Sequence, residues 1–250
     1  MNALLAEARK ATAEKRFGDS EALMLKVTQS NPNFVLPWVE LGLAQLGLKK
    51  YPEAENAFKK ALGIDPASAQ GEHGGGFYQS VEGGGAVAPT ATRATRNVMG
   101  GSEVSNGESR TADIKATCYA ALGEIYAHEG KVKEAKEAFD NAVALFPSQA
   151  AQYRHNEMIV FFQAGQPDEQ LAAAVQAIAL DSTRAANYYF KAQALVSKAT
   201  LDPATQKMIL PPGCAEAYQK YLQLEPNGPY SADAKGVLEG AGIPIKGGKK

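Results

Sequence analysis

Residues 35–68 read VLPWVELGLAQLGLKKYPEAENAFKKALGIDPAS, and residues 116–149 read ATCYAALGEIYAHEGKVKEAKEAFDNAVALFPSQ. Trp38, Gly42, Ala54, Phe58, Ala61 and Pro66 of the first stretch reappear as Tyr119, Gly123, Ala135, Phe139, Ala142 and Pro147, each 81 positions later. Within each copy the spacing is W/Y-x2-L-G, followed by A-x3-F-x2-A-x4-P. A unit of about 34 residues with a small residue, an aromatic and a closing proline at fixed places predicts a helix-turn-helix that stacks on its neighbours.

The register extends in both directions. Leu4, Phe17, Met24, Val27 and Pro32 lie 34 residues before Trp38, Tyr51, Phe58, Ala61 and Pro66, which makes residues 1–34 a first repeat. Tyr126, Gly130, Ala142 and Leu145 recur 35 positions later as Phe161, Gly165, Ala177 and Leu180, placing a fourth repeat at 151–184. A fifth begins near Ala185. Its second helix is late by about ten residues, because Ala174, Ala177 and Leu180 map to Tyr218, Tyr221 and Leu224 at an offset of 44.

Packing explains these positions. A small residue at position eight (Ala8, Gly42, Gly123, Ala192) lets two helices approach closely. The aromatic at position twenty-four (Phe58, Phe139, Tyr218) is expected to fill the space between one pair and the next. Pro32, Pro66, Pro147 and Pro226 end the second helices, since proline cannot continue the hydrogen-bond ladder.

With these residues the chain resembles the tetratricopeptide-repeat family over about 170 of its 250 residues. The match is fullest in repeats two and three. Repeat one has Leu4 in place of the aromatic, and repeat four has Ala174 for the aromatic and Ser182 for the proline. The resemblance implies an all-α, right-handed α-solenoid of about five repeats. It also implies a concave surface lined by the first helix of each repeat. The corresponding positions here include Asn2 and Arg9; Val39 and Leu43; Ala120, Glu124 and His128; Gln152, His155, Asn156, Ile159 and Gln163; and Tyr189, Phe190 and Gln193. Family members that bind chaperone tails clamp a terminal carboxylate with Lys and Asn. Leu5/Arg9 and Val39/Leu43 stand at those places, so the clamp is missing. The mixed lining suits an extended or helical peptide with apolar anchors and a few hydrogen bonds.

The organisation reads as repeats one and two over 1–68, an insertion over 69–115, repeats three to five over 116–228, and a capping helix with a tail over 229–250. The 69–115 stretch holds three glycine runs, no Leu or Trp, and one Ile at its end, Ile114. It has too little apolar material to fold alone and is expected to be flexible, or to close over a partner through Phe77, Tyr78 and Arg93/Arg96. Segments 77–81 and 90–99 could be extended. A second insertion at 199–213 opens on Asp202–Pro203, a helix-start signal that predicts one helical turn over 204–208. Residues 229–239 predict a last helix, ended by Gly240 and covering the exposed end of the array. The tail 243–250 is expected to be disordered.

Composition excludes several classes of function. Net charge is −1, so no broad basic field calls for nucleic acid. No apolar run approaches 18 residues, and no basic-apolar-cleavage pattern opens the chain. A cytoplasmic protein is the default expectation, with a periplasmic or secreted one if the chain is a mature form or an excised domain. Cys118 and Cys214 make no disulfide framework and read as small buried residues. His73–Gly74–Gly75–Gly76 copies an oxyanion-hole string of lipases, but no G-x-S-x-G nucleophile elbow accompanies it. His73, His128 and His155 lack zinc-ligand spacing, and no phosphate-binding loop is present. No catalytic, cofactor or metal residues are therefore assigned. The expectation is a non-enzymatic scaffold that binds a protein or peptide in its groove. Two alternatives stand beside it: an assembly factor of the cell envelope within a larger exported protein, and, remotely, an enzyme whose site the 69–115 loop completes.

Overall fold

The structure, a computed structural model, describes residues 2–63 and 107–245. Of the insertion expected to be flexible or extended over 69–115, residues 69–106 lie outside the described residues, as do the last five of the tail, while residues 107–115 are helical, which corrects that expectation. Among the described residues there are eleven α-helices and one short hairpin. The helices are α1 (Asn2–Ala13), α2 (Phe17–Ser30), α3 (Val35–Gly47), α4 (Tyr51–Gly63), α5 (Gly107–His128), α6 (Val132–Leu145), α7 (Ala150–Gln163), α8 (Pro167–Leu180), α9 (Ala185–Val196), α10 (Cys214–Leu224) and α11 (Ser231–Gly240). The fold is all-α and of the solenoid type. The chain divides into two compact units, Met1–Gln149 and Ala150–Lys250, a boundary that falls inside the 116–228 array.

In the first unit each helix packs on the next, and α1 reaches α3 as α3 reaches α5. Two adjoining clusters form the core. Leu5, Ala8, Met24, Val27 and Leu41 fill one. Val39, Leu43, Phe58, Cys118, Leu122 and Ile125 fill the other. The position-eight glycines work at short range: a Cβ on Gly42 would lie 2.8 Å from the Phe58 ring, and one on Gly123 would lie 2.7 Å from the Phe139 ring. The aromatic thus seats against the glycine of its own repeat, closing the hairpin from within. Helix α5 starts at Gly107, nine residues ahead of the repeat boundary at 116. Ile114, on this extension, packs against both core clusters and so draws the helix backward into the unit.

The turn inside each of the first four repeats is built alike. Position fifteen is Lys15, Lys49, Gly130 and Gly165, with φ of 61°, 59°, 73° and 68°. In repeat three the Gly130 N–H donates to the Ala127 carbonyl (3.1 Å) and the Lys131 N–H to that of Tyr126 (2.8 Å). This pair of backward bonds satisfies carbonyls that the helix end would otherwise leave open. Prolines close the second helices as expected: α2 ends before Pro32, α6 before Pro147 and α10 before Pro226. Where Ser182 replaces proline, the Asp181 carboxylate accepts the Thr183 N–H at 3.0 Å and turns the chain instead.

In the second unit α7 to α11 again pack in chain order, with α7 also reaching α9. The 199–213 insertion is a hairpin, which corrects the helical turn expected over 204–208. Thr200–Leu201 pairs antiparallel with Met208–Ile209. Asp202 does cap, accepting the N–H groups of Ala204 (2.8 Å) and Thr205 (2.9 Å). Gln206 then takes φ 57° and sends the chain back, so no second turn follows. Gly213, at φ 82°, leads into α10. At the end of α11, Gly242 at φ 69° and the bond from the Ile243 N–H to the Leu238 carbonyl (2.8 Å) terminate the helix.

Candidate binding surface

The predicted lining residues fall into both units and meet different surroundings. In the first unit Val39 and Leu43, expected on the lining, are buried core residues instead. Arg9 donates through Nε to Glu40 Oε1 at 2.5 Å, and the Glu40 carboxylate is buried. Glu124 is also buried; burial of the Tyr51 phenol, seconded by the charge of Glu124, raises that phenol above its ordinary range. The His128 ring stacks on Tyr51 with centroids 5.4 Å apart. Burial, seconded by Lys49, holds His128 below the usual imidazole value, which favours the neutral ring at neutral pH.

The second unit carries a polar strip shared by α7 and α9. Gln152 donates to Asn156 Oδ1 (2.8 Å) and accepts from Arg184 (2.9 Å). His155 Nδ1 lies 2.6 Å from Asn187 Oδ1. Asn187 Nδ2 donates to the Asp181 carbonyl at 3.4 Å, which orients the amide so that its oxygen faces the imidazole. Nδ1 therefore carries the hydrogen of that contact. The buried Asn156 side-chain nitrogen has no hydrogen-bond partner among the described residues. Gln163 is exposed near the end of α7.

Further along α9, Tyr189, Phe190 and Gln193 are met by the chain's own last helix, α11, and by Tyr230, the residue just before it. Tyr230 stacks on Tyr189, with centroids 4.1 Å apart and planes 10° from parallel. Asp233 Oδ2 accepts from the Tyr189 hydroxyl (3.0 Å) and from Gln193 Nε2 (2.8 Å). Tyr189 and Phe190 are in consequence buried.

Asn187, Arg184, Tyr230 and Asp233 were not among the residues assigned from sequence. Asn187 falls at position three of its repeat, off the lining pattern. The pairing of α11 with α9 spans 44 residues and leaves no local signal. Both thiols are buried, and burial raises Cys118 to about 12 and Cys214 to about 11, so neither ionises at neutral pH. Among the described residues no group of His, Cys, Asp and Glu could hold a metal ion, and no helix is long and apolar enough to cross a membrane.

This geometry defines a helical-repeat protein with a partly polar first-helix surface. Comparisons with known proteins agree. Family models described as tetratricopeptide repeat match residues 37–68 and 116–149. These two stretches of the chain are tetratricopeptide repeats, a kind of repeat that builds protein-interaction modules. The crystal structure of MamA is similar at a TM-score of 0.52 and 16% identity, over 87% of this chain and 93% of that one. The structure of YrrB, described as a TPR protein with an unusual peptide-binding site, is similar at 0.50 and 14% identity, over 93% and 90%. At these identities the likeness concerns the fold alone. No curated protein matches the sequence.

Proposed function

We propose that the chain is a non-enzymatic scaffold that binds a partner peptide along the first-helix surface of its second unit. The polar strip Gln152–Asn156–Arg184, with His155–Asn187 beside it, is the observation that carries this reading. Side-chain amides offer a donor and an acceptor each, the pattern an extended peptide backbone presents. Arg184 adds a cation at the edge of the strip. The described peptide-binding site of YrrB supports the class of ligand, as does the family's habit of binding proteins.

Selection from a random peptide library on the intact protein tests this. Peptides recovered on the wild type should bind a Gln152→Ala/His155→Ala variant about tenfold more weakly, the loss of roughly two net hydrogen bonds. Equal affinity for both proteins, with unchanged melting, would remove the strip from the binding surface.

A further inference from the structure

Helix α11 does more than close the array. A cap needs apolar cover, and Ala234 and Leu238, both fully buried, supply it. Tyr230 and Asp233 do something different. They engage Tyr189 and Gln193, positions five and nine of α9, which sequence reading placed on the ligand-facing side. The Tyr230 ring lies flat on Tyr189 and presents an edge to Phe190 at 5.6 Å, while its backbone N–H donates to the Tyr221 hydroxyl at 2.9 Å. Three residues later the Asp233 carboxylate takes two donors at once.

The helix that delivers these groups is weakly built. It has ten residues, no side-chain cap at its start, and Gly236 in its middle. Isolated helices of this length are marginal in water, and an interior glycine weakens them further. Asp233 is exposed and Tyr230 only partly covered, so both can leave without opening the core beneath Ala234 and Leu238.

We propose that α11 is a resident ligand of the repeat-five surface. That surface accepts an aromatic side chain followed three residues later by a carboxylate, and a partner peptide with this pattern binds by displacing Tyr230 and Asp233. The inference rests on the groove reading above and adds the chemistry of the ligand and the contact that holds the site closed. The ring would stack on Tyr189, and the carboxylate would take the Gln193 amide and the Tyr189 hydroxyl. The tethered segment competes at an effective concentration on the millimolar scale, so an untethered peptide binds the wild type poorly.

The test uses the full chain and a fluorescent peptide of residues 228–240, GPYSADAKGVLEG. Its anisotropy should report binding to Tyr230→Ala/Asp233→Ala at least tenfold tighter than to the wild type, and the gain should vanish when Gln193→Ala is added. A peptide with its tyrosine replaced by alanine should not bind. Should the double variant fail to fold, Asp233→Asn alone must gain several-fold over the wild type. Gly236→Ala, whose added methyl meets nothing within 4 Å, should firm α11 and weaken the peptide about threefold. Equal affinity across the folded proteins overturns the proposal. So does hydrogen exchange in which the α11 amides open only together with those of α10. The groove reading is judged apart from this, by the library selection on Gln152 and His155.

Discussion

Repeats two and three close their helix pairs in one way, and repeat four closes its pair in the opposite way. Gly42 with Phe58, and Gly123 with Phe139, put the small residue at position eight and the large one at position twenty-four. Repeat four has Met158 and Ala174 at those places, both fully buried. Repeat one, with Ala8 and Met24, and repeat five, with Ala192 and Tyr218, keep the first polarity. Each repeat thus pairs one small and one large residue at these two places, and either helix can carry the large one. Close packing explains why the pairing is held, since both voids and excess methylenes are felt in a core.

The largest expected effect breaks one half of this balance. Phe58→Ala should lose about 3–5 kcal/mol, and Gly42→Met alone about 1–3 kcal/mol, in urea denaturation. Combined, they copy the repeat-four arrangement into repeat two. The pair should then cost about 1–2 kcal/mol less than the sum of the singles. Strict additivity would show that the two positions do not share one space. Next in size is Gly123→Leu, expected to lose about 1–3 kcal/mol because its first carbon already falls 2.7 Å from Phe139. An unchanged melt would contradict the contact.

That balance also shows how far the sequence could be read. The glycine, aromatic and proline spacing announced the hairpins of repeats two and three, because each signature residue there has one steric task. In repeat four Ala174 reads as a lost signature, since its compensation by Met158 lies sixteen residues away on the other helix and follows no motif. The same limit hid the contact of Tyr230 and Asp233 with α9. It is made by side chains distant in sequence, on a helix whose pattern only says that it ends the array. The hairpin at 200–209 was misread because Asp202–Pro203 starts a turn of either kind, and the positive φ at Gln206 decides which. The polar strip was half legible: Gln152, His155 and Asn156 follow helix periodicity, whereas Arg184 closes the repeat and Asn187 comes from the next one.

A third prediction compares the first helices. Helix α5 has 22 residues against 13 in α3, and its extension carries Asp113. One oxygen of this carboxyl is buried without a hydrogen-bond partner, and burial raises its pKa to about 6. The fold therefore disfavours the charged form. As pH falls from 7 through 6 toward 4, the folded chain takes up a proton before the unfolded chain does, and Asp113 becomes less destabilising. Asp113→Asn should add about 1 kcal/mol at pH 7, below what the full shift would give because the side chain is partly open to water. The gain should disappear near pH 4. A gain equal at both pH values would place the effect in packing and not in charge.

The smallest effect separates the first two repeats from the next two at a single turn position. All four repeats hold position fifteen in the left-handed region, yet repeats one and two place Lys15 and Lys49 there, where repeats three and four place Gly130 and Gly165. A Cβ in this region crowds the following carbonyl, a strain glycine avoids. Glycine also loses more freedom on folding, which offsets part of the relief. Lys15→Gly and Lys49→Gly should each therefore raise stability by only a few tenths to about 1 kcal/mol. Gly130→Ala and Gly165→Ala should lower it by about the same amount or slightly more, with nothing within 4 Å of either added methyl to complicate the reading. If the lysine and glycine substitutions move stability in the same direction, the shared left-handed turn does not set the outcome, and the contacts of the lysine side chains do.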